Sequence, residues 1–287
     1  MSRDPVQAAN RATFAELVAR ADRDIDLARA ALVIAAAGRP HLDPQLSIDE
    51  LNDLADRVSR AERPGLRGRD GSPGGLVGDR ARLRALHRVL FEDLGFRGPG
   101  GGPSDATHSL LAVVLTRRVG LPISLAIVEI EVAARIDLGL HGIGLPGHFI
   151  VGAPDGLLID PADAGRLLTR DDCQALIRRS LRRPLLLSES MLRPATKRSI
   201  LARVLRNLRV ARLVARDWPG ALAAIELLEV LEADEAGHAR DRGLLLGRMG
   251  RFTDAVALLG AYVELNPVAG DAEDVRHALG IFAARRN

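Results

Sequence analysis

The sequence is short of cysteine, of lysine and of long apolar runs. Its single cysteine, Cys173, excludes a disulfide within the chain and is typical of a reducing compartment. The longest apolar stretches, such as Ala30–Ala37 and Leu110–Leu115, are far too short to span a bilayer. The first residues also lack the apolar core of a signal peptide. We therefore expect a cytoplasmic protein that has no membrane partner.

The basic residues show no sign of a nucleic-acid surface. The chain has 40 Lys and Arg against 37 Asp and Glu, a net charge of +3, and Lys197 is the single lysine. These residues are spread along the sequence, whereas a nucleic-acid-binding protein concentrates them on one face. The densest run, Arg178–Arg183, is interpreted as the solvated face of a helix. With 287 residues, 47% of them hydrophobic, the chain can build two globular domains, and we expect no nucleic-acid partner.

The N-terminal region, residues 1–104, is predicted to consist mainly of helices. Apolar residues recur at helical spacing over 12–37 and again over 83–94. Between these segments, Ser47 and Glu50 fit a capping box, in which the serine is the N-cap and the glutamate lies at the third helical position. The pattern therefore predicts a third helix that begins at this serine.

Two segments rich in glycine and proline interrupt these helices. Residues 64–78 contain almost no apolar side chain and are predicted to form a loop, and residues 98–104 form a second flexible segment. A glycine cluster beside a helix invites comparison with a phosphate-binding loop, but that motif needs a preceding strand and a following lysine. Both are missing from this segment, so we expect no nucleotide cofactor.

Residues 105–190 are predicted to form a core of helices and a small sheet. One helix runs over His108–Val119, and a second begins at Pro122, because proline suits the first helical turn. Three short apolar runs follow and are predicted to be strands: Ile143–Leu145, Phe149–Val151 and Leu157–Ile159.

The segment Pro154–Gly156 lies between two apolar runs and predicts a hairpin with a three-residue loop, in which the glycine is left-handed. Ala153 then pairs with Leu157, which sets the register of the two strands. Because side chains alternate along a strand, His148 and Asp160 fall on the same face and within reach of each other. A two-residue loop would place them on opposite faces.

A histidine oriented by a carboxylate forms half of the machinery of nucleophilic catalysis. A buried histidine that is hydrogen-bonded to a structural aspartate would give the same pattern at His148 and Asp160. The residues alone do not separate these two interpretations.

The tail, residues 197–287, is predicted to be all helical and to contain a repeat. An offset of 34 residues aligns Trp218 with Phe252, and 34 is the period of tetratricopeptide repeats. The second copy has small residues and proline at the expected positions, Gly243, Gly250, Ala255 and Pro267, and the first copy has Arg209 and Arg216 in place of glycines. Two copies are few, so we expect the tail to rely on the preceding domain for burial.

Three blocks of sequence resemble the SirB-type family of bacterial transglutaminase-like proteins: Arg117–Ala126, Gly142–Val151 and Leu158–Pro161. The resemblance extends over nearly the whole chain. It implies an α+β fold, in which a papain/transglutaminase-like domain of helices packed on a small antiparallel sheet precedes an all-α, tetratricopeptide-like tail.

The same resemblance implies a set of three catalytic residues, one of which is replaced in this sequence. Catalytically competent relatives carry a cysteine at the start of a helix, where the helix dipole lowers the pKa of the thiol. Pro122 stands at about that position here, while His148 and Asp160 match the catalytic His and Asp. The resemblance therefore implies a vestigial dyad without its thiol.

Other residues are candidates to replace the missing nucleophile or to hold a metal. Ser124 lies two residues into the helix and is a candidate nucleophile, although a helix cap or a packing hydroxyl is the favoured interpretation of this residue. Cys173 lies beyond the hairpin at a helical position and is interpreted as a small buried residue. His141 and His148 lack a third ligand at a convincing spacing, so no metal is expected.

Three functional hypotheses follow from these residues. The first is a non-catalytic or degenerate transglutaminase/cysteine-protease-like protein, a regulatory module that binds a protein or peptide through the repeat tail, the vestigial cleft or both. The alternative is a hydrolase or acyl transferase that uses Ser124 with His148 and Asp160. A third possibility is a purely structural regulator whose groove is filled. The missing cysteine favours the binding hypothesis, whereas the retained His and Asp keep the enzymatic hypothesis open.

Overall fold

The computed structural model describes most of the chain. The described residues are 5–37, 43–62, 76–100, 105–181 and 184–286. The loop predicted over 64–78 therefore lies largely outside the described residues. Residues 101–104 of the second glycine-rich segment, and residues 182–183 of the basic run, also lie outside them.

The described residues of the N-terminal region form four α-helices: α1 (Pro5–Val18), α2 (Leu27–Ala36), α3 (Pro44–Ala61) and α4 (Leu76–His87). The segment predicted to be helical over 12–37 divides into two helices, with a 3-10 turn at Asp22–Asp24 between them. Helix α4 continues into a wider π-helical turn, Arg88–Asp93, which covers most of the remaining predicted helix.

The predicted start of α3 is wrong by several residues. The N-cap is Asp43, whose carboxylate accepts the N–H of Gln45 at 2.8 Å, and Pro44 occupies the first helical position. Ser47 lies inside the helix and is buried. An Asp-Pro pair is itself a strong start signal, and it precedes the capping box in the chain, so the helix begins there.

Two further helices lie between the N-terminal region and the sheet: α5 (Leu111–Arg117) and α6 (Pro122–Arg135). A 3-10 turn over Ala106–Ser109 replaces the first turn of the predicted helix that ends with α5. Helix α6 begins at the predicted proline. Its apolar residues are buried almost all the way round, because the helix packs against the sheet, α3 and α5.

The sheet has four antiparallel strands in chain order: β1 (His141–Leu145), β2 (His148–Gly152), β3 (Leu158–Asp160) and β4 (Arg166–Leu168). The three predicted strands are present, and β4 was not predicted. Helix α7 (Arg170–Ser180) follows it. β4 is three residues long with one buried side chain, so it offers no alternating pattern that could predict a strand.

The predicted hairpin register is confirmed. Gly152 pairs with Leu158 across the β2–β3 ladder. The N–H of Ala153 donates to the carbonyl of Leu157 at 2.9 Å, which closes the loop. Gly156 has φ +84°, the left-handed conformation that this loop requires of its last residue.

The tail is helical throughout its described residues and has no strand there. Its helices are α8 (Lys197–Val214), α9 (Trp218–Leu231), α10 (Ala236–Arg248), α11 (Phe252–Leu265) and α12 (Ala272–Ala284). Helices α9 and α11 begin at Trp218 and Phe252, the two residues that the repeat offset aligns. None of the helices described in the chain is long and apolar enough to cross a membrane.

The first pair of tail helices shares its core with the preceding domain. Leu205 and Leu208 of α8 and Leu228 of α9 belong to the same buried cluster as residues of α2 and α6, whereas α10–α12 contribute mainly to smaller clusters of their own. The expectation that the tail relies on the preceding domain is therefore confirmed. As a consequence, α8 lies beside the sheet, next to the predicted dyad.

Candidate functional site

His148, the first residue of β2, and Asp160, the last residue of β3, form a hydrogen-bonded pair. The Nε2 atom of His148 lies 2.9 Å from Oδ2 of Asp160, as the shared face predicted. The other carboxylate oxygen, Oδ1, accepts the N–H of Ala162 at 3.0 Å. The Asp160 side chain is 5% exposed and the His148 side chain 16%. Asp160 is therefore fixed at both oxygens, and it orients a histidine that remains accessible.

A cavity of about 320 Å³ opens beside this dyad. It is bounded by the turn into α6, the start of β2 and one face of α8, with these lining residues: Leu121, Pro122, Ile123, Gly147, His148, Phe149, Arg203, Asn207 and Val210. The first residue of α6 and the histidine of the dyad thus border the same space. We call this space the cleft.

Pro122, the first residue of α6, lines the cleft together with His148. A thiol at such a helix start would face free N–H groups and the positive end of the helix dipole. Proline has neither a nucleophilic atom nor an N–H group, so the cleft has no nucleophile at this position. Catalysis by a thiol at this helix start would therefore require a different residue.

Ser124 is in the first turn of α6, and its side chain is 1% exposed. Its Oγ atom has no hydrogen-bond partner in the described part of the chain, and Ser124 does not line the cleft. It is also not a cap, because the N-cap of α6 is Leu121, which makes no side-chain cap bond. The fold therefore brings His148 and Asp160 together but does not hydrogen-bond Ser124 to them.

Cys173 lies on α7 and does not line the cleft. Its side chain is fully buried in a second apolar cluster, among Ile143, Ile150 and Leu176. Burial raises the pKa of the thiol, and the nearby charge of Asp172 raises it further. The interpretation of this cysteine as a small buried residue agrees with its position.

Arg203, on α8, is a cleft residue that the sequence did not indicate. Its guanidinium donates a hydrogen bond to the carbonyl of Leu145 at 3.0 Å and lies over the ring of Phe149, 5.5 Å from the centroid. It has no ion pair among the described residues. Burial lowers the pKa of Arg203, and the positive charge of Arg206 lowers it further. The cleft thus contains a partly buried cation without a counter-ion.

Glu129, further along α6, is a second feature that the sequence did not indicate. It is fully buried, and Oε1 lies 3.0 Å from Nε2 of His87, whose ring packs edge-on against Phe91. Its other oxygen, Oε2, has no partner among the described residues. Burial raises the pKa of Glu129, and the charge of Asp160 adds to this rise, while the hydrogen bond with His87 opposes it.

His141 is at the far end of the β1–β2 hairpin from His148. It pairs with Gly152, whereas His148 pairs with Leu145. The part of the chain that the structure describes contains no group of three or more His, Cys, Asp or Glu side chains arranged to hold a metal ion.

Comparison with known proteins supports the fold class. A model of the transglutaminase-like superfamily matches residues 46–206, more than half of the chain, and a tetratricopeptide-repeat model matches residues 208–280. The protein therefore combines a transglutaminase-like domain with tetratricopeptide repeats. No solved structure matches the chain.

Individual relatives narrow this class to a family. A UPF0162 protein of Xylella fastidiosa strain Temecula1 is 36% identical over 206 residues, which cover 68% of this chain and 72% of that protein. A UPF0162 protein of Pseudomonas aeruginosa is 34% identical over 224 residues, 76% of this chain and 77% of that protein. The chain belongs to this bacterial UPF0162 family, as the resemblance of the three sequence blocks indicated. F-box only protein 21 of Homo sapiens is 30% identical over 106 residues, 33% of this chain and 17% of that protein.

Proposed function

We propose that the protein is a non-catalytic transglutaminase-like module that binds a peptide segment of another protein in the cleft. The observation that carries this proposal is the composition of the cleft. It is open and bordered by His148, which Asp160 orients, but Pro122 stands at the helix start where a thiol would be needed. A site that keeps its shape without a nucleophile is suited to binding.

The tail supports an interaction role. Tetratricopeptide repeats present helical surfaces on which other proteins bind. Two charged residues of α10 have partners within the tail: Asp241 pairs with Arg209, and Arg242 pairs with Glu229 at 2.5 Å. Glu229 also lies 3.8 Å from Arg11 of α1. The single, buried Cys173 agrees with a cytoplasmic site of action.

The alternative is a hydrolase or acyl transferase that uses Ser124 with His148 and Asp160. The retained dyad favours this alternative. However, a serine nucleophile must hydrogen-bond to its base, and Oγ of Ser124 is buried without a partner among the described residues. This alternative therefore needs a rearrangement at the start of α6, and we rank it second.

An assay for transfer and hydrolysis tests the catalytic half of the proposal. The full chain is incubated with casein and a fluorescent primary amine, and separately with amidated glutamine peptides. We expect no amine incorporation and no ammonia release above the level without protein. Activity that disappears in both His148→Ala and Ser124→Ala, with the fold intact by circular dichroism, would establish the serine enzyme instead.

A peptide selection tests the binding half. The full chain is used to select from a displayed library of random peptides, and the enriched peptides are measured against two tryptophan variants. Asn207→Trp fills the cleft from a half-exposed position on α8 and should abolish binding. Leu265→Trp places the same side chain on α11, where Leu265 is 81% exposed, and should leave binding unchanged. Peptides that bind both variants equally would contradict a role for the cleft.

A further inference from the structure

We propose that the cleft selects an extended peptide with an acidic side chain, whose carboxylate binds Arg203 and whose following apolar residues lie along α8. This inference rests on the proposed peptide-binding function and adds the chemistry of the ligand. It is argued from three features of the cleft: an unpaired guanidinium, the absence of acidic lining residues and an exposed apolar stripe.

The guanidinium of Arg203 is fixed in place with most of its donors unused. One nitrogen donates to Leu145 at 3.0 Å, and Phe149 supports the planar group from one side. A guanidinium has five N–H groups in a rigid fork that matches a carboxylate in two-point contact. An arginine held this way loses little further side-chain freedom on binding, which favours a strong and selective contact.

The charges around the cleft favour an anion. None of its described lining residues is acidic. Arg206, one turn further along α8, is paired with Glu232, so that glutamate already has a partner. A partly buried cation without a counter-ion is destabilising, and an incoming carboxylate would provide the missing charge. The lowered pKa of Arg203 agrees with this, because it reflects burial and a neighbouring positive charge.

His148 adds a second polar contact, at the start of β2. Its Nε2 atom is bound to Asp160, which leaves Nδ1 for a ligand. A peptide that crosses the cleft can therefore meet a polar group on β2 as well as the cation on α8. Glutamine would satisfy the hydrogen-bond donors as well, but it carries no charge. If Arg203 binds the carboxylate, the cleft should therefore bind a glutamate peptide more tightly than the matching glutamine peptide.

Two exposed valines of α8, Val210 and Val214, form an apolar stripe along which the peptide would continue from Arg203. Arg203, Asn207, Val210 and Val214 are spaced by four, three and four residues and share one face of α8. Val210 lines the cleft and is 55% exposed, and Val214 is 78% exposed. An apolar side chain that follows the acidic residue can cover both valines, so the stripe is continuous with the charged site.

The test uses two labelled synthetic peptides, acetylated and amidated, that measure the contribution of one charge. The first has glutamate followed by leucine and valine between flanking glycines, and the second has glutamine in place of glutamate. Fluorescence anisotropy with the full chain should give at least about tenfold tighter binding of the glutamate peptide, the difference expected for a charge-assisted pair. This preference should decrease as salt is raised from about 0.05 to 0.5 M, because salt screens the pair.

Variants assign the preference to one residue. Arg203→Gln should remove the preference for glutamate, and Arg203→Lys should keep part of it. Arg206→Gln, one turn away on the same helix, is the matched control and should keep it. Circular dichroism and thermal melting check that each variant is folded, and the salt dependence of the natural chain provides a test that needs no variant.

The outcomes separate this inference from the proposed function. Equal binding of the two peptides that is lost in Asn207→Trp would overturn the acidic preference while the peptide-binding cleft stands. A preference that survives Arg203→Gln, or no binding of either peptide, would also overturn the inference. Turnover of the glutamine peptide would instead overturn the non-catalytic function.

Discussion

His148 and Asp160 are twelve residues apart in the chain, and their side chains meet at 2.9 Å because a three-residue loop joins β2 to β3. The loop sets the register, and the register decides which faces the two side chains occupy. A loop one residue shorter would separate them. The geometry of the dyad therefore depends on Pro154–Gly156, which lies at the opposite end of the β2–β3 hairpin.

The first prediction concerns the last residue of this loop. Gly156→Ala should lower the free energy of unfolding by about 1 kcal/mol, because an alanine at φ +84° is strained. A Cβ atom there would meet nothing within 4 Å, so backbone strain is the main cost. Denaturant unfolding followed by circular dichroism measures the change.

Gly260→Ala is the matched control for this substitution. Gly260 lies within α11, where a Cβ atom would also meet nothing within 4 Å. Alanine is the better helix former by up to about 1 kcal/mol, so this variant should be more stable than the natural chain. If Gly156→Ala were stabilising as well, the left-handed loop conformation would be excluded.

The second prediction concerns the buried carboxyl group of Glu129. Its pKa is raised in the folded protein, so above the ordinary value near 4.5 the unfolded state releases a proton that the folded state retains. The free energy of unfolding therefore decreases as pH rises from this value to the pKa of the folded state. Below this value both states hold the proton, and Glu129 causes no such decrease. Glu129→Gln keeps an acceptor for His87 but does not titrate. The variant should gain stability over the natural chain as pH rises from about 4.5 to 8.

Urea unfolding at several pH values measures this difference. Glu131→Gln is the control, because Glu131 is on the same helix but pairs with Arg135 at 2.8 Å. That substitution removes an ion pair and should not be stabilising. A constant difference between Glu129→Gln and the natural chain across the pH range would show that Glu129 does not retain a proton in the fold.

The sequence predicts the local parts of this site better than the assembled cleft. The turn at Pro154–Gly156 and the proline start of α6 are each encoded within a few neighbouring residues, and the repeat is visible in the sequence as a fixed offset of 34 positions. Their physical meaning does not depend on the rest of the chain. The start of α3 is a local prediction that is wrong, because two start signals compete and the earlier one, at Asp43, prevails.

The residues that the sequence missed depend on packing between distant segments. Arg203 reaches Leu145 across 58 positions, and nothing distinguishes it within α8, a helix with several arginines. Glu129 looks like a solvent-facing position of α6 until α4 covers it with His87, which is 42 positions away. Such placements arise from tertiary contacts, which neither periodicity nor propensity encodes.

The third prediction is that Cys173 is unreactive in the folded protein. Burial blocks access and raises the pKa of the thiol, and each unit of that rise removes about tenfold of the reactive thiolate. Alkylation by iodoacetamide at pH 8 should be more than about tenfold slower in the native chain than in urea. Equal rates in the two states, by mass spectrometry, would place this thiol at the surface.

The fourth prediction tests whether Pro122 stands at the nucleophile position. In a chain that also carries Cys173→Ala, Pro122→Cys places the single thiol at the start of α6, beside His148. The helix start and the histidine should lower the pKa of this thiol well below 8.5, so it should react with iodoacetamide at pH 6 about tenfold faster than an ordinary exposed thiol. Leu265→Cys, in the same background, supplies that ordinary thiol, because Leu265 is 81% exposed.

A third chain separates the effect of the histidine from that of the helix. Adding His148→Ala to Pro122→Cys should slow alkylation at pH 6 and shift its pH profile upward, because the thiolate loses its cationic partner while the helix dipole remains. The pH dependence of alkylation is more informative than the rate at one pH, because unfolding would raise the alkylation rate of any thiol in the chain. Should the thiol at 122 react like the one at 265, with a profile indifferent to His148→Ala, Pro122 would not occupy the position of a lost nucleophile. The dyad would then be a structural pair, in which Asp160 fixes the start of β2 and supports the wall of a binding cleft.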